Sequence, residues 1–121
     1  MQGGFWLGLK VKTIDLAPEH LKTVWDILGK HLPKGSRVEV FGSRAKGTAK
    51  PYSDLDLALT CEGRLGRKIL NRLEDDFEYS DLPFRVDLID RQRAGEEFRR
   101  VIEKEGLPLP PQKKRGKSKD K

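Results

Sequence analysis

The chain has 121 residues and a formal net charge of +6, with 36% charged and 36% hydrophobic side chains, enough for one small core and no second domain of any size. Five of the six excess charges fall in residues 112–121 (QKKRGKSKDK), which leaves 19 basic and 18 acidic groups in 1–111, so the basic balance describes a tail and is no argument for a basic nucleic-acid face on the body. A single cysteine, Cys61, excludes an internal disulfide and a cysteine-based zinc site. The longest apolar run near the start, Phe5-Trp6-Leu7, is too short for a signal peptide or a membrane span, so a soluble, cytoplasmic protein is expected.

Residues 1–14 alternate loosely and suggest an extended arm or a short edge strand. Pro18 and Glu19 then suit the first turn of a helix, and Leu21, Val24, Trp25, Leu28 and Leu32 form one apolar stripe that Pro33 and Gly35 stop. His20 and His31, eleven apart on this helix, are poorly spaced for shared metal ligation and are read as surface groups. Val38–Phe41 is a short strand followed directly by Gly42-Ser43. Residues 44–53 (RAKGTAKPYS) form a basic turn broken by Gly47 and Pro51. Asp54–Thr60 alternates as a strand, with Leu55, Leu57 and Leu59 on one face and Asp54, Asp56 and Ala58 on the other. A helix is expected over 64–79 and a third strand over 84–89. A final amphipathic helix over 94–105 uses Phe98, Val101 and Ile102. Pro108, Pro110 and Pro111 are expected to separate the fold from a disordered basic tail, giving a domain over 15–107 and a tail over 108–121. The sum is an α/β domain with about three core strands and three substantial helices.

The chemistry centres on carboxylates. Residues two apart on a strand share a face, so Asp54 and Asp56 project together about 7 Å apart along the chain. Asp87 joins them if the third strand lies beside the second. Three such groups raise one another's pKa unless a cation holds them, and an oxygen-only set suits Mg²⁺ or Mn²⁺. Upstream, Gly42 permits close backbone approach, N–H groups after a strand end can cradle phosphate, and Ser43 adds a hydroxyl. Arg44, Lys46 and Lys50 bring positive charge to the same turn, with Arg44 and Lys46 taken as phosphate contacts. Two cations and such a cradle are what in-line transfer of a nucleoside phosphate requires. The alternative for Asp54 and Asp56 is a plain solvated strand face. For Tyr52, filling the underside of the turn is preferred to stacking on a base, and Cys61 is read as a buried small hydrophobe.

The stretch FGSRAKGTAKPYSDLDL (Phe41–Leu57), with Asp87 in a later strand, resembles the nucleotidyltransferase superfamily that shares the DNA polymerase β palm, and within it the minimal nucleotidyltransferases. The resemblance covers roughly residues 15–105. It implies a mixed sheet of three to four strands flanked by helices, with Asp54, Asp56 and Asp87 as metal ligands and catalytic residues around two Mg²⁺ ions. It further implies ATP as substrate, Gly42 and Ser43 on the triphosphate, and Asp87 nearest the attacking hydroxyl. Many members of the branch are antitoxins of a type VII-like pair and transfer AMP to a tyrosine of a HEPN-domain RNase toxin, which is the implied partner. The other readings are an antitoxin that neutralises by binding alone, transfer to a small-molecule or nucleic-acid acceptor, and RNA contact through the tail 112–121.

Overall fold

The computed structural model describes residues 14–63 and 65–111. The arm expected over 1–14 lies outside them except for Ile14, which packs on the core, and the basic residues 112–121 also lie outside. Helix α1 (Pro18–His31) starts at a proline whose missing N–H has no partner to lose there, with Glu19 at the positive end of the dipole. It buries Val24, Ile27 and Leu28, then stops as Leu32 turns extended. Pro33 and Gly35, the latter at φ 82°, turn the chain into β1 (Arg37–Phe41). A one-turn helix α2 (Ser43–Lys46), strand β2 (Leu55–Thr60), helix α3 (Arg67–Glu78) and strand β3 (Val86–Asp90) follow. A 3₁₀ turn (Arg91–Arg93), helix α4 (Glu96–Glu105) and a two-residue strand β4 (Leu107–Pro108) complete the described chain.

The four strands form one mixed sheet in the order β3-β2-β1-β4. β1 runs antiparallel to β2, with Val40 opposite Leu57 and Phe41 opposite Asp56. β3 runs parallel to β2, reached through the α3 crossover that a parallel pair requires, with Asp56 opposite Asp87. Alternation then sorts the side chains. Val38, Val40, Leu55, Leu57, Leu59, Val86 and Leu88 face α1 and α3 and form the main core with Val24, Leu28, Leu73 and Phe77. Leu55, Leu57 and Leu59 are completely buried, each contributing roughly 1.5–3 kcal/mol. On the other face Ile102 of α4 covers Phe41, Ala58 and Ile89. The row carrying Asp54, Asp56 and Asp87 continues past that cover, leaving Asp56 half-buried and the other two exposed.

Four expectations change. The fold does not end before residue 108. Leu107–Pro108 pairs with Glu39 and Val40, Leu109 is buried and donates its N–H to the Val38 carbonyl at 3.0 Å, and Trp25 Nε1 donates to the Pro110 carbonyl at 2.7 Å. Proline is tolerated here because an edge strand needs only half its N–H groups. Phe98 and Val101 do not share the burial of Ile102 and stay 42% and 39% exposed. Tyr52 does not fill the turn's underside, being 76% exposed. The histidines are engaged, with His31 Nε2 2.8 Å from Asp76 Oδ2, tying α1 to α3, and His20 edge-on to Phe84. Cys61 is buried, 3.3 Å from the Ser36 hydroxyl.

Candidate active site

β1 delivers the Gly-Ser turn against the carboxylates. Phe41 pairs with Asp56, and the next residue, Gly42, sits at φ 79° and ψ −156°, a conformation open in practice only to glycine. A Cβ at Gly42 would collide with Asp56 Oδ2, so the backbone of the turn lies directly on that carboxylate. The Gly42 carbonyl accepts from Ala45 and Lys46 N–H, each at 3.1 Å, and this closes the single turn that begins at Ser43.

Asp56 occupies the middle of a row. Gly42 flanks it on the β1 side and Asp87 on the β3 side, while Asp54 precedes it by two residues, just ahead of β2. Burial pushes the Asp56 carboxyl above the usual range, the negative charges of Asp87 and Asp54 push further in the same direction, and Arg85 opposes them. Arg85 Nη2 lies 3.8 Å from Asp87 Oδ1, both side chains largely exposed. Among the described residues no three carboxylates close on a common point as a preformed metal site. The donor chemistry nevertheless fits a hard divalent cation: all-oxygen groups, a central carboxyl held in a repulsive field, and a glycine backbone where a side chain would fill the cradle.

Arg44, expected at the phosphates, is committed within the fold. It is 5% exposed, and its guanidinium donates to three backbone carbonyls, Asp15 at 2.7 Å, Ser53 at 2.9 and 3.1 Å, and Pro51 at 3.1 Å, while stacking 4.2 Å over the Phe84 ring. Its work is to hold the 47–53 loop, which has few partners of its own for these carbonyls, and so to set where Asp54 stands. Lys46 pairs with Glu105 at 3.5 Å and joins α2 to the end of α4 instead of standing free at the turn. Lys50 is exposed. Residues that sequence reasoning missed lie on the β3 flank, where a cavity of about 820 Å³ opens between Asp54, Asp87, Arg85, Tyr52 and the acidic end of α3. The acidic run Glu74–Glu78 is the one signal that could have led there, and nothing in its spacing places it near β3.

A mixed sheet that sets paired aspartates beside a Gly-Ser turn defines the palm of a nucleotidyltransferase. Residues 21–111 match the family described as the nucleotidyltransferase domain, and the chain belongs to that family. It is 46% identical over 91 residues to the Haemophilus influenzae protein named "probable protein adenylyltransferase MntA", covering 75% of this chain and 79% of that one. A crystal structure of a toxin–antitoxin pair with AMP-PNP superposes with a TM-score of 0.63 at 26% identity, over 74% of this chain and 71% of that one. A minimal nucleotidyltransferase structure superposes with a TM-score of 0.57 at 28% identity, covering 74% of this chain and 89% of that chain.

Proposed function

We propose that this protein transfers AMP from ATP to a tyrosine hydroxyl of a HEPN-type RNase toxin and thereby acts as its antitoxin in the cytoplasm. The observation that carries this reading is the row Gly42–Asp56–Asp87, which sets a glycine backbone, a carboxyl under repulsion and an exposed carboxylate side by side across three adjacent strands. The named H. influenzae adenylyltransferase and the AMP-PNP-bound toxin–antitoxin pair support it. Among the described residues no helix is long and apolar enough to cross a membrane.

Asp54, Asp56 and Asp87 would hold the divalent cations, two Mg²⁺ ions with Mn²⁺ as a substitute. When bound, these would neutralise charge on the transferring phosphoryl group and its leaving oxygen. Gly42 and Ser43 receive the β and γ phosphates through backbone N–H and the Ser43 hydroxyl. Asp87, the more exposed strand carboxylate, accepts the phenolic proton as the tyrosine oxygen attacks the α-phosphorus. The new bond is Oη–Pα, the bond to the bridging oxygen breaks, and diphosphate leaves. Arg44 orders the loop before Asp54 and touches neither substrate.

The test is incubation of the protein and its toxin with α-labelled ATP and Mg²⁺, followed by mass spectrometry of the toxin. AMP on a toxin tyrosine, lost with Asp56→Asn, is expected. A tight complex with no label would leave neutralisation by binding alone.

A further inference from the structure

In-line transfer puts nucleophile and leaving group on opposite sides of the phosphorus. With diphosphate leaving towards the Gly42–Ser43 turn at the end of β1, the acceptor must arrive from the β3 flank, because the sheet order places Asp56 between the two. The 820 Å³ cavity opens on that flank. Resting on the function proposed above, we infer that this cavity is the acceptor port and that Glu74 and Glu78 of α3 select an acceptor segment carrying a Lys or Arg side chain beside the reacting tyrosine.

Three observations carry this. First, Glu74 and Glu78 both line the cavity one helical turn apart and are exposed. Neither belongs to an ion pair among the described residues, whereas Asp76 between them is taken by His31. Second, α3 carries its charges against its own dipole. Arg67 and Lys68 stand at the N-terminus, Asp75, Asp76 and Glu78 crowd the other end, and no basic residue lies in the last turn. Such placement works against the helix and is expected where charge serves a partner. Third, among the described residues the cavity's one lining cation, Arg85, faces Asp87 across 3.8 Å and so leaves the α3 wall acidic. Leu82, Pro83 and the exposed Tyr52 ring supply an apolar bed for an aromatic acceptor.

The experiment measures initial rates of AMP transfer to the HEPN-type toxin, using the full chain as wild type, Glu74→Gln/Glu78→Gln and Glu74→Lys/Glu78→Lys. The KM for the toxin should rise about threefold to tenfold in the double Gln variant, as expected for two partly exposed ion pairs, and further in the double Lys variant. The kcat and the KM for ATP should stay at the wild-type values. Raising NaCl from about 50 to about 200 mM should raise the wild-type toxin KM and leave that of the double Gln variant flat. An unchanged toxin KM in both variants overturns the inference, as does a rise in the KM for ATP in its place, which would make the wall a nucleoside contact. If the wild type labels no toxin at all, the proposed function falls and takes this inference with it. Labelling by the wild type with unchanged variant kinetics removes the inference alone.

Discussion

Gly42→Ala tests the contact on which the site is built. At φ 79° and ψ −156° a side chain adds about 1–3 kcal/mol of backbone strain. The added Cβ also meets Asp56 Oδ2, so the carboxylate has to move. For a domain of this size each kcal/mol corresponds to roughly 4–8 °C in Tm, so strain alone should lower the melting point by about 5–20 °C. Displacing Asp56 by about an ångström should reduce transfer by the folded protein about 100-fold. Circular dichroism melts give the first quantity, and rates measured well below the melt give the second. The two contributions separate in a cycle with Asp56→Ala, where the strain persists but the collision is gone, making Gly42→Ala less damaging than in the wild-type background. A wild-type Tm and rate for Gly42→Ala would refute the reasoning. Equal damage in both backgrounds would refute the collision.

Three further outcomes follow from the geometry. Arg44→Lys should lower stability by about 2–5 kcal/mol, because a compact ammonium cannot span the three carbonyls that the planar guanidinium reaches while stacking on Phe84, and urea unfolding reads the loss. If it instead melts like wild type and loses only ATP affinity, Arg44 is a phosphate contact after all. Asp56→Asn should abolish transfer yet raise the Tm at neutral pH. A carboxyl whose folded pKa is raised destabilises the fold when ionised and stops doing so as pH falls through that pKa, so the Tm gap to wild type should close in acid. Asp76 has the opposite sign: its hydrogen bond to His31 holds its pKa below the usual value, so its stabilisation is present above about 3.8 and is lost as pH falls below. Asp76→Asn should therefore melt below wild type at pH 7, with the difference vanishing in strong acid; a constant difference across that range would contradict the assignment.

What the sequence made legible followed from local periodicity. The alternation of Leu55, Leu57 and Leu59 against Asp56 and Ala58 specifies β2 and both its faces before any partner is known. The stripe through Val24 and Leu28 does the same for α1, although Ile27 rather than Trp25 completes its buried set. Asp87 was legible only conditionally, since its place beside Asp56 depends on the register of a parallel pair that no local pattern encodes. β4 was missed because its prolines read as breakers, although Leu107 and Leu109 alternate with them as an edge strand does. The burial of Arg44 was hidden for a deeper reason. An arginine next to a Gly-Ser turn looks free to bind phosphate until the loop folds back and presents the carbonyls of Pro51 and Ser53. The acceptor flank was illegible because it arises from α3 meeting β3 in three dimensions.

The most direct test is a crystal structure of the protein with Mn²⁺ and a non-hydrolysable ATP analogue, read by the anomalous signal of manganese. Ions bounded by the carboxylates of residues 54, 56 and 87, with the terminal phosphates over residues 42–43, are the expected result. Manganese found elsewhere, or an analogue whose triphosphate avoids the glycine turn, would contradict it.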